Sequence, residues 1–436
     1  MRKIRKVKID GFWGDKTVDL KFDEEINFLI GVNGSGKTTI INLIAASLNA
    51  DFATLDKIEF NKIKINFFDL EDSDGKIISS SYIEVEKTDN IASPYSNILF
   101  KIKADAKTKI KTFKLNDIEE ENLFRYSHNY LNDYRVFKTQ RSVKAERDIN
   151  IALKGFVNLT WLSIHRTNNL NRNNEEKGFE STIDLKVKEL STELVKYFGI
   201  LDKRYSLETE KFQKNIFLSL IEGESKSDIF SISTELEPEH EKEALKQIFL
   251  LFKLQEDEFT NKLDTHFNYF EDSKKAITQK ETVTLNHLAS LVSTQRIHSI
   301  VQEWKLLNEM KININKPKFI FIDEINNLFQ RKKVFINERN ELLVETDSGK
   351  VFQLSNLSSG EKQLLIILGQ SLLQENCSNI YIADEPELSL HVDWQEKLVK
   401  NLKNVNPNSQ IIFATHSPDI VGRFSDFIIK VEEAII

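Results

Sequence analysis

Apolar and polar residues alternate with a period of two through much of the first 169 residues, the pattern of strands buried on one face. Val7–Ile9, Thr17–Leu20 and Ile26–Ile30 read as strands, and Thr38 to Leu48 as a helix that follows a glycine-rich turn. Ile63–Asp69, Ile77–Glu84 and Ile98–Lys103 predict an antiparallel section. One more apolar strand, Leu159–Ile164, ends at His165-Arg166 before the composition turns to asparagine.

From about residue 175 to 312 the period lengthens to that of a helix. Ile183, Val187, Leu190, Leu194, Tyr197 and Leu201 are spaced alternately four and three apart, which is a coiled-coil seam. A second stretch carries Leu245, Ile248, Phe249, Phe252, Phe259, Leu263 and Phe267, and a third carries Leu285, Leu288, Val292, Ile300, Trp304 and Leu307. About three long helices are expected, interrupted near Gly223 and Pro238, with apolar stripes that face one another or another subunit. After Pro317 the pattern returns to mixed α/β. The predicted organisation is an N-terminal segment over 1–172, a helical insertion over 173–314 and a C-terminal segment over 315–436.

Composition narrows the class. At 436 residues and 40% hydrophobic content the chain can bury a full core, and no apolar run nears the roughly 20 residues of a membrane span. The first residues, Met1 to Lys6, run into strand-like alternation rather than an apolar signal core, so a cytoplasmic protein with no membrane association is expected. Cys377 is the single cysteine; it excludes an internal disulfide and a multi-cysteine metal site, and is expected to be buried and inert. A net charge of −7 argues against a general nucleic-acid coat. Nucleic acid stays possible on a local basic face, for which Lys101 to Lys114 is the candidate. The alternative there is a solvated strand pair whose lysines discourage edge pairing.

Two stretches offer to hold phosphate. Gly31-Val32-Asn33-Gly34-Ser35-Gly36-Lys37-Thr38 fits G-x-x-x-x-G-K-[ST] at every fixed position, and it follows a strand and opens a helix, the setting the motif requires. Glycines there let backbone N–H groups approach phosphate oxygens, Lys37 can neutralise the β- and γ-phosphates, and Thr38 can coordinate Mg²⁺. With Thr39, residues Asn33 to Thr38 make up the expected nucleotide-binding set. The second stretch is Leu357-Ser358-Ser359-Gly360-Glu361, a polar turn that opens a helix and so presents unpaired N–H groups to an anion. Two receptors in one chain are reconciled if two subunits face each other.

A metal ligand and a water activator are expected at the end of a buried strand, and two runs end in Asp-Glu. Phe319-Ile320-Phe321-Ile322-Asp323-Glu324 continues into an amphipathic stretch and precedes the Ser-Ser-Gly turn, so it reads as a decoy. Ile380-Tyr381-Ile382-Ala383-Asp384-Glu385 follows the turn, is succeeded by Pro386, and is followed by another buried strand ending in Thr415-His416. In this reading Asp384 holds Mg²⁺, Glu385 deprotonates the attacking water, and His416 contacts the γ-phosphate.

These pieces in this order resemble an ABC-class ATPase of the SMC and OLD-like (AAA15-type) prokaryotic defence branch. The resemblance implies an α/β, ABC-type P-loop ATPase fold, with a mixed sheet plus an antiparallel β section, interrupted by a helical, coiled-coil-like insertion. It assigns Gly31–Thr38 to Walker A, Leu357–Glu361 to the LSGGQ signature, Ile380–Glu385 to Walker B, Leu388-Ser389-Leu390-His391 to the D-loop and His416 to the switch histidine. Ser359 and Glu361 depart from the signature consensus, as subfamily marks. His165 and Arg166 occupy a plausible Q-loop position without its glutamine. The resemblance further implies ATP and Mg²⁺, sandwiched between Walker A of one subunit and Ser358, Ser359, Gly360 and Glu361 of another, hence a homo-oligomer with a dimer as minimum.

OLD nucleases carry a TOPRIM domain after the ATPase, for which the twenty residues beyond His416 leave no room. The expectation is therefore an ATPase subunit similar to those of PARIS or Septu anti-phage systems, with PARIS preferred. Such a subunit holds or regulates a separate effector nuclease of TOPRIM or HNH type until a phage-encoded trigger arrives. The competing expectations are an SMC-like DNA repair ATPase and a nucleotide-stabilised scaffold with little turnover.

Overall fold

A computed structural model describes residues 2–68, 81–89, 96–105, 108–114, 147–162, 181–219, 238–279 and 282–436. It divides into two compact units, one of residues 1–195 with 317–436 and one of residues 196–316. The divisions fall within two long helices, α3 (Thr182–Ser219) and α6 (Leu285–Leu328).

The first unit is built on two large sheets. Five parallel strands, β14 (Ile428–Lys430), β3 (Ile26–Ile30), β13 (Ser409–Ala414), β12 (Asn379–Asp384) and β8 (Leu159–Leu162), lie side by side in that order. Strands β12 and β13 are buried almost throughout, which is why they read as continuous apolar runs rather than as alternation. The second sheet is antiparallel, in the order β2 (Lys16–Lys21), β1 (Ile4–Phe12), β4 (Lys62–Phe67), β5 (Tyr82–Thr88), β6 (Asn97–Lys103) and β7 (Lys111–Lys114). Strands β4 and β6 alternate buried and half-buried positions, as expected of a sheet with one face on the core. A small meander of β9 (Lys332–Ile336), β10 (Leu342–Thr346) and β11 (Val351–Gln353) completes the unit's β-structure.

One core joins the two large sheets and helix α1 (Lys37–Asn49), with Ile4, Val7, Ile40, Ile44, Ile63, Phe100, Ile382 and Ile412 among its fully buried or nearly fully buried members. Each such side chain contributes roughly 1.5–3 kcal/mol by leaving water. Buried Gln410 ties the sheets by hydrogen bonds: its Oε1 accepts from the Ile4 N–H at 2.7 Å, and its Nε2 donates to Ile4 O at 2.6 Å and Asp23 O at 2.7 Å. On the solvated face of the antiparallel sheet Lys101 bonds Glu84 and Glu86 at 3.2 and 2.8 Å. That cation of the basic stretch is thus part of a mixed-charge lattice.

The second unit packs helical stripes on one another. Phe212 of α3, Leu245 and Ile248 of α4 (Pro238–Leu251), Phe259, Leu263 and Phe267 of α5 (Glu256–Thr278), and Val301 and Leu307 of α6 form its core. The second sequence stretch is two helices, because the turn 252–255 separates α4 from α5 and contains Lys253 at φ 61°.

The structure corrects three expectations. Helix α6 runs through Pro317 to Leu328, and α/β structure resumes only at Lys332. Phe319–Glu324 therefore lies in a helix: Phe321, Ile325 and Leu328 form its buried stripe at i, i+4 and i+7 while Phe319 is exposed. Cys377 is exposed rather than buried, because it sits in the turn between α7 (Ser359–Leu372) and β12, where Glu375 and Asn376 adopt positive φ. Strand β5 begins at Tyr82 and extends to Thr88; Ile77–Ser80 lies outside the described residues. Among the described residues no helix is long and apolar enough to cross a membrane.

Candidate nucleotide site

The parallel register brings three chemical segments to one edge of the sheet. Leu29 pairs with Ala414 and Ala414 with Asp384, so β3, β13 and β12 end level with one another. The loop 31–36, the tip Thr415-His416 and the pair Asp384-Glu385 all leave from those carboxyl ends, where open α/β sheets place ligands.

In the loop, Gly34 and Gly36 adopt φ of 84° and 93°, conformations that side chains with a Cβ resist. Gly36 is the N-cap of α1, makes no side-chain cap, and no acidic residue occupies the first turn. The first N–H groups of the helix are thus left for an anion. Lys37 is buried and folds back on the loop, its Nζ donating to Gly31 O at 2.7 Å and Val32 O at 3.1 Å. Burial pulls the Lys37 ammonium below the usual lysine range, against the opposing pull of Glu432, Glu385 and Asp384. Ser35 Oγ is buried without a partner among the described residues, an orphaned polar atom among the loop's hydrogen-bonding groups that an anion would fit. Asn33 and Gly34 are exposed and Thr39 is half-buried in α1.

Thr38 Oγ1 donates to Asp384 Oδ1 at 3.1 Å. A hydroxyl and a carboxylate side by side at the edge of an anion cradle are hard oxygen donors of the kind Mg²⁺ takes beside phosphate. The donor set therefore fits that ion. Next along, Glu385 has φ 47° and its N–H donates to Ala414 O at 2.8 Å, which holds this residue in a conformation unusual for a glutamate. Its Oε1 lies 3.9 Å from His416 Nε2. By contrast Glu324 sits in α6 and accepts from Asn404 Nδ2 at 2.7 Å.

The Ser-Ser-Gly turn opens α7. Ser358 is the N-cap and forms a capping box with Glu361: the Glu361 carboxylate accepts from Ser358 N and Oγ, both at 2.8 Å. Lys332 Nζ adds bonds of 2.8 and 3.0 Å to the same carboxylate. Glu361 thus acts within the turn, as the acceptor that ties Ser358 to Lys332. Ser358 and Ser359 remain exposed while Leu357 and Gly360 are buried. Gly360 is pressed against the turn that holds Ser389, where a Cβ would lie 2.5 Å from Ser389 O.

Several contributors carried no clear sequence signal. Trp13, at φ 54° in the β1–β2 turn, stacks on Phe12 and lies against Gly36, where a Cβ would come 2.9 Å from its ring. A Gly-Phe-Trp-Gly turn between strands was its only trace. Glu432, in α10 (Val431–Ala434), accepts from the Val32 N–H at 2.6 Å. It is delivered there because β14 runs parallel to β3 with Lys430 opposite Ile30. Lys362 Nζ bonds Asp184 Oδ1 of α3 at 2.6 Å, and Leu190 of the same helix packs on Gly369. His165 and Arg166 lie outside the described residues.

A glycine loop on a strand and helix, with hydroxyl, acidic and histidine groups at the neighbouring strand ends, defines a P-loop ATPase. Residues 2–421 match the AAA ATPase domain family, and the chain belongs to that family. It is 23% identical over 98% of its length to a "Retron Vc95 probable ATPase" of Vibrio cholerae serotype O1 biovar El Tor, covering 73% of that protein. Shorter matches are to the Septu protein PtuA of Bacillus thuringiensis, 30% identical over 19% of this chain and 24% of that one, and to a "Retron Ec83 probable ATPase" of Escherichia coli, 32% identical over 18% and 17%. Among solved structures, an Smc head domain with an extended coiled coil from Pyrococcus furiosus aligns over 97% of this chain and 91% of that one, with 14% identity and a TM-score of 0.37. The SMC head domain from Thermotoga maritima aligns over 96% and 91%, with 10% identity and a TM-score of 0.34.

Proposed function

We propose that this ATPase is the Mg²⁺-dependent regulatory subunit of a prokaryotic anti-phage defence system, with ATP bound between two copies of the chain and a separate effector nuclease under its control. The observation that carries the catalytic part is the level ending of β3, β12 and β13, which sets Thr38 against Asp384 and Glu385 near His416. Lys37 and the N–H groups of 34–38 hold the phosphates, and the exposed indole of Trp13 offers a face to the base. Thr38 and Asp384 would hold Mg²⁺, which supplies charge neutralisation at the phosphates. Glu385 takes the proton of the attacking water at its carboxylate, and His416 meets the terminal phosphate. The exposed Ser358 and Ser359, on a turn made rigid by Glu361, complete the site of the second copy. The names of the relatives favour a retron- or Septu-type system over PARIS.

Phosphate release and nucleotide binding by Glu385→Gln and Glu324→Gln test the assignment. Glu385→Gln is expected to bind ATP while turnover falls roughly 10²- to 10⁴-fold, the usual cost of losing a positioned base, with Glu324→Gln close to wild type. The reverse result would move the catalytic pair to Asp323-Glu324.

A further inference from the structure

The strand tip that carries His416 is clamped by a residue with no part in the site so far. Glu387 lies in the turn between Glu385 and α8 (Val392–Val405) and is only 9% exposed. Its Oε1 accepts from Thr415 Oγ1 at 2.6 Å and from the backbone N–H of His416 at 3.0 Å. Its other oxygen, Oε2, is buried without a partner among the described residues, and both hydrogen bonds at Oε1 go to the tip. Thr415 Oγ1 accepts in turn from the Ser417 N–H at 2.9 Å, and Ser417 Oγ donates to Gln395 Oε1 of α8 at 2.6 Å. The turn itself is anchored to the signature helix: Gln363 Nε2 donates to Pro386 O at 2.7 Å.

The His416 ring is 3.9 Å from Glu385, beyond hydrogen-bond reach, so that contact does not fix it. Its place follows from its backbone, and its backbone N–H is held by Glu387. We propose that Glu387 is a positioning residue for His416, which locks the tip of β13 to the end of β12 and sets the imidazole against Glu385. The proposal rests on the ATPase reading above, in which His416 meets the terminal phosphate. Without the carboxylate, the buried Thr415 hydroxyl and the partly buried His416 amide lose their acceptor and the tip is free to shift. Lys37 and Thr38 are untouched by that loss, so nucleotide binding should survive it.

The test uses the full chain. Glu387→Ala is expected to lower kcat about 10- to 100-fold, the scale of a misplacement near 1 Å, while KM holds within about 2-fold. Glu387→Gln keeps an acceptor oxygen and should recover most of the loss. In a His416→Ala background, Glu387→Ala should cost almost nothing more, because both changes remove the same group. A readout free of turnover is amide hydrogen exchange: Glu387→Ala should speed exchange at His416 and leave Lys37 to Ile40 unchanged. Additive losses, a Gln variant as poor as Ala, or unaltered exchange at His416 would overturn the proposal. If the wild type releases no phosphate, the ATPase reading fails, and the exchange measurement still decides whether Glu387 holds the tip.

Discussion

Thr38 Oγ1 donates to Asp384 Oδ1 at 3.1 Å, joining the first turn of α1 to the end of β12 across most of the length of the chain. Both groups are hard oxygen donors, and they meet where the cradle would present phosphate oxygens. Asp384→Asn keeps the shape and removes the charge that a divalent ion needs. Turnover in a Mg²⁺ titration is expected to fall at least about 100-fold, as when a group that stabilises transition-state charge is lost, while nucleotide binding in EDTA stays as in the wild type. Equal turnover at saturating Mg²⁺ would remove Asp384 from the metal site.

Two glycines give opposite predictions from the same substitution. A Cβ at Gly360 would lie 2.5 Å from Ser389 O, a backbone atom that cannot swing away. Gly360→Ala should cost about 1–3 kcal/mol, as overpacking does, and depress turnover by displacing the turn that holds Ser389. Gly199 lies inside α3 with nothing within 4 Å of its Cβ position. Gly199→Ala should stabilise by about 0.5–1 kcal/mol from helix propensity. Urea midpoints for the pair check both signs.

Acid should loosen the signature turn. Burial alone would raise the Glu361 carboxyl, but the bonds from Lys332 and Ser358 outweigh it and hold it below the usual glutamate range. A carboxyl lowered in the folded state stabilises fully above its unfolded pKa, and that contribution fades as pH falls through the folded value. Stability measured from about pH 6 down to 3 should therefore decline less steeply in Glu361→Gln than in the wild type. An identical slope would show that this carboxyl does not titrate differently on folding.

Glu432 is a negative group on the rim of an anion site, bonded to the Val32 N–H at 2.6 Å. Glu432→Gln leaves an acceptor for that N–H and removes the charge. MgATP should bind more tightly at low salt, and the difference should shrink as salt screens it. Weaker binding by the Gln variant would instead make the carboxylate a support of the loop.

How much of this was legible in the sequence depended on how local each cause is. The parallel strands announced themselves as short runs apolar at every position, since Ile380–Ala383 and Ile411–Ala414 are buried on both faces. The antiparallel strands showed as alternation for the complementary reason. The loop 31–38 was legible because its glycines and lysine act within eight residues of chain. Phe319–Glu324 reads as a decoy, but its helical form was not legible, because four apolar residues in a row fit strand and helix alike and only the burial of Phe321, Ile325 and Leu328 decides between them. Glu361 reads only as a subfamily mark, while its partner, Lys332, lies on another element. Glu387 and Glu432 act on Thr415, His416 and Val32 through folds of the chain that leave no periodic trace.

The central claim is a nucleotide site completed by a second copy of the chain, and mixing two inactive variants tests it most directly. Lys37→Ala lacks the phosphate cradle and Ser359→Arg blocks the exposed turn, so each alone should be nearly inactive. Mixed in equal amounts they can form a pair with one intact composite site, and phosphate release should recover to a clear fraction of the wild-type rate. No recovery at any mixing ratio, with both variants folded, would contradict a shared site.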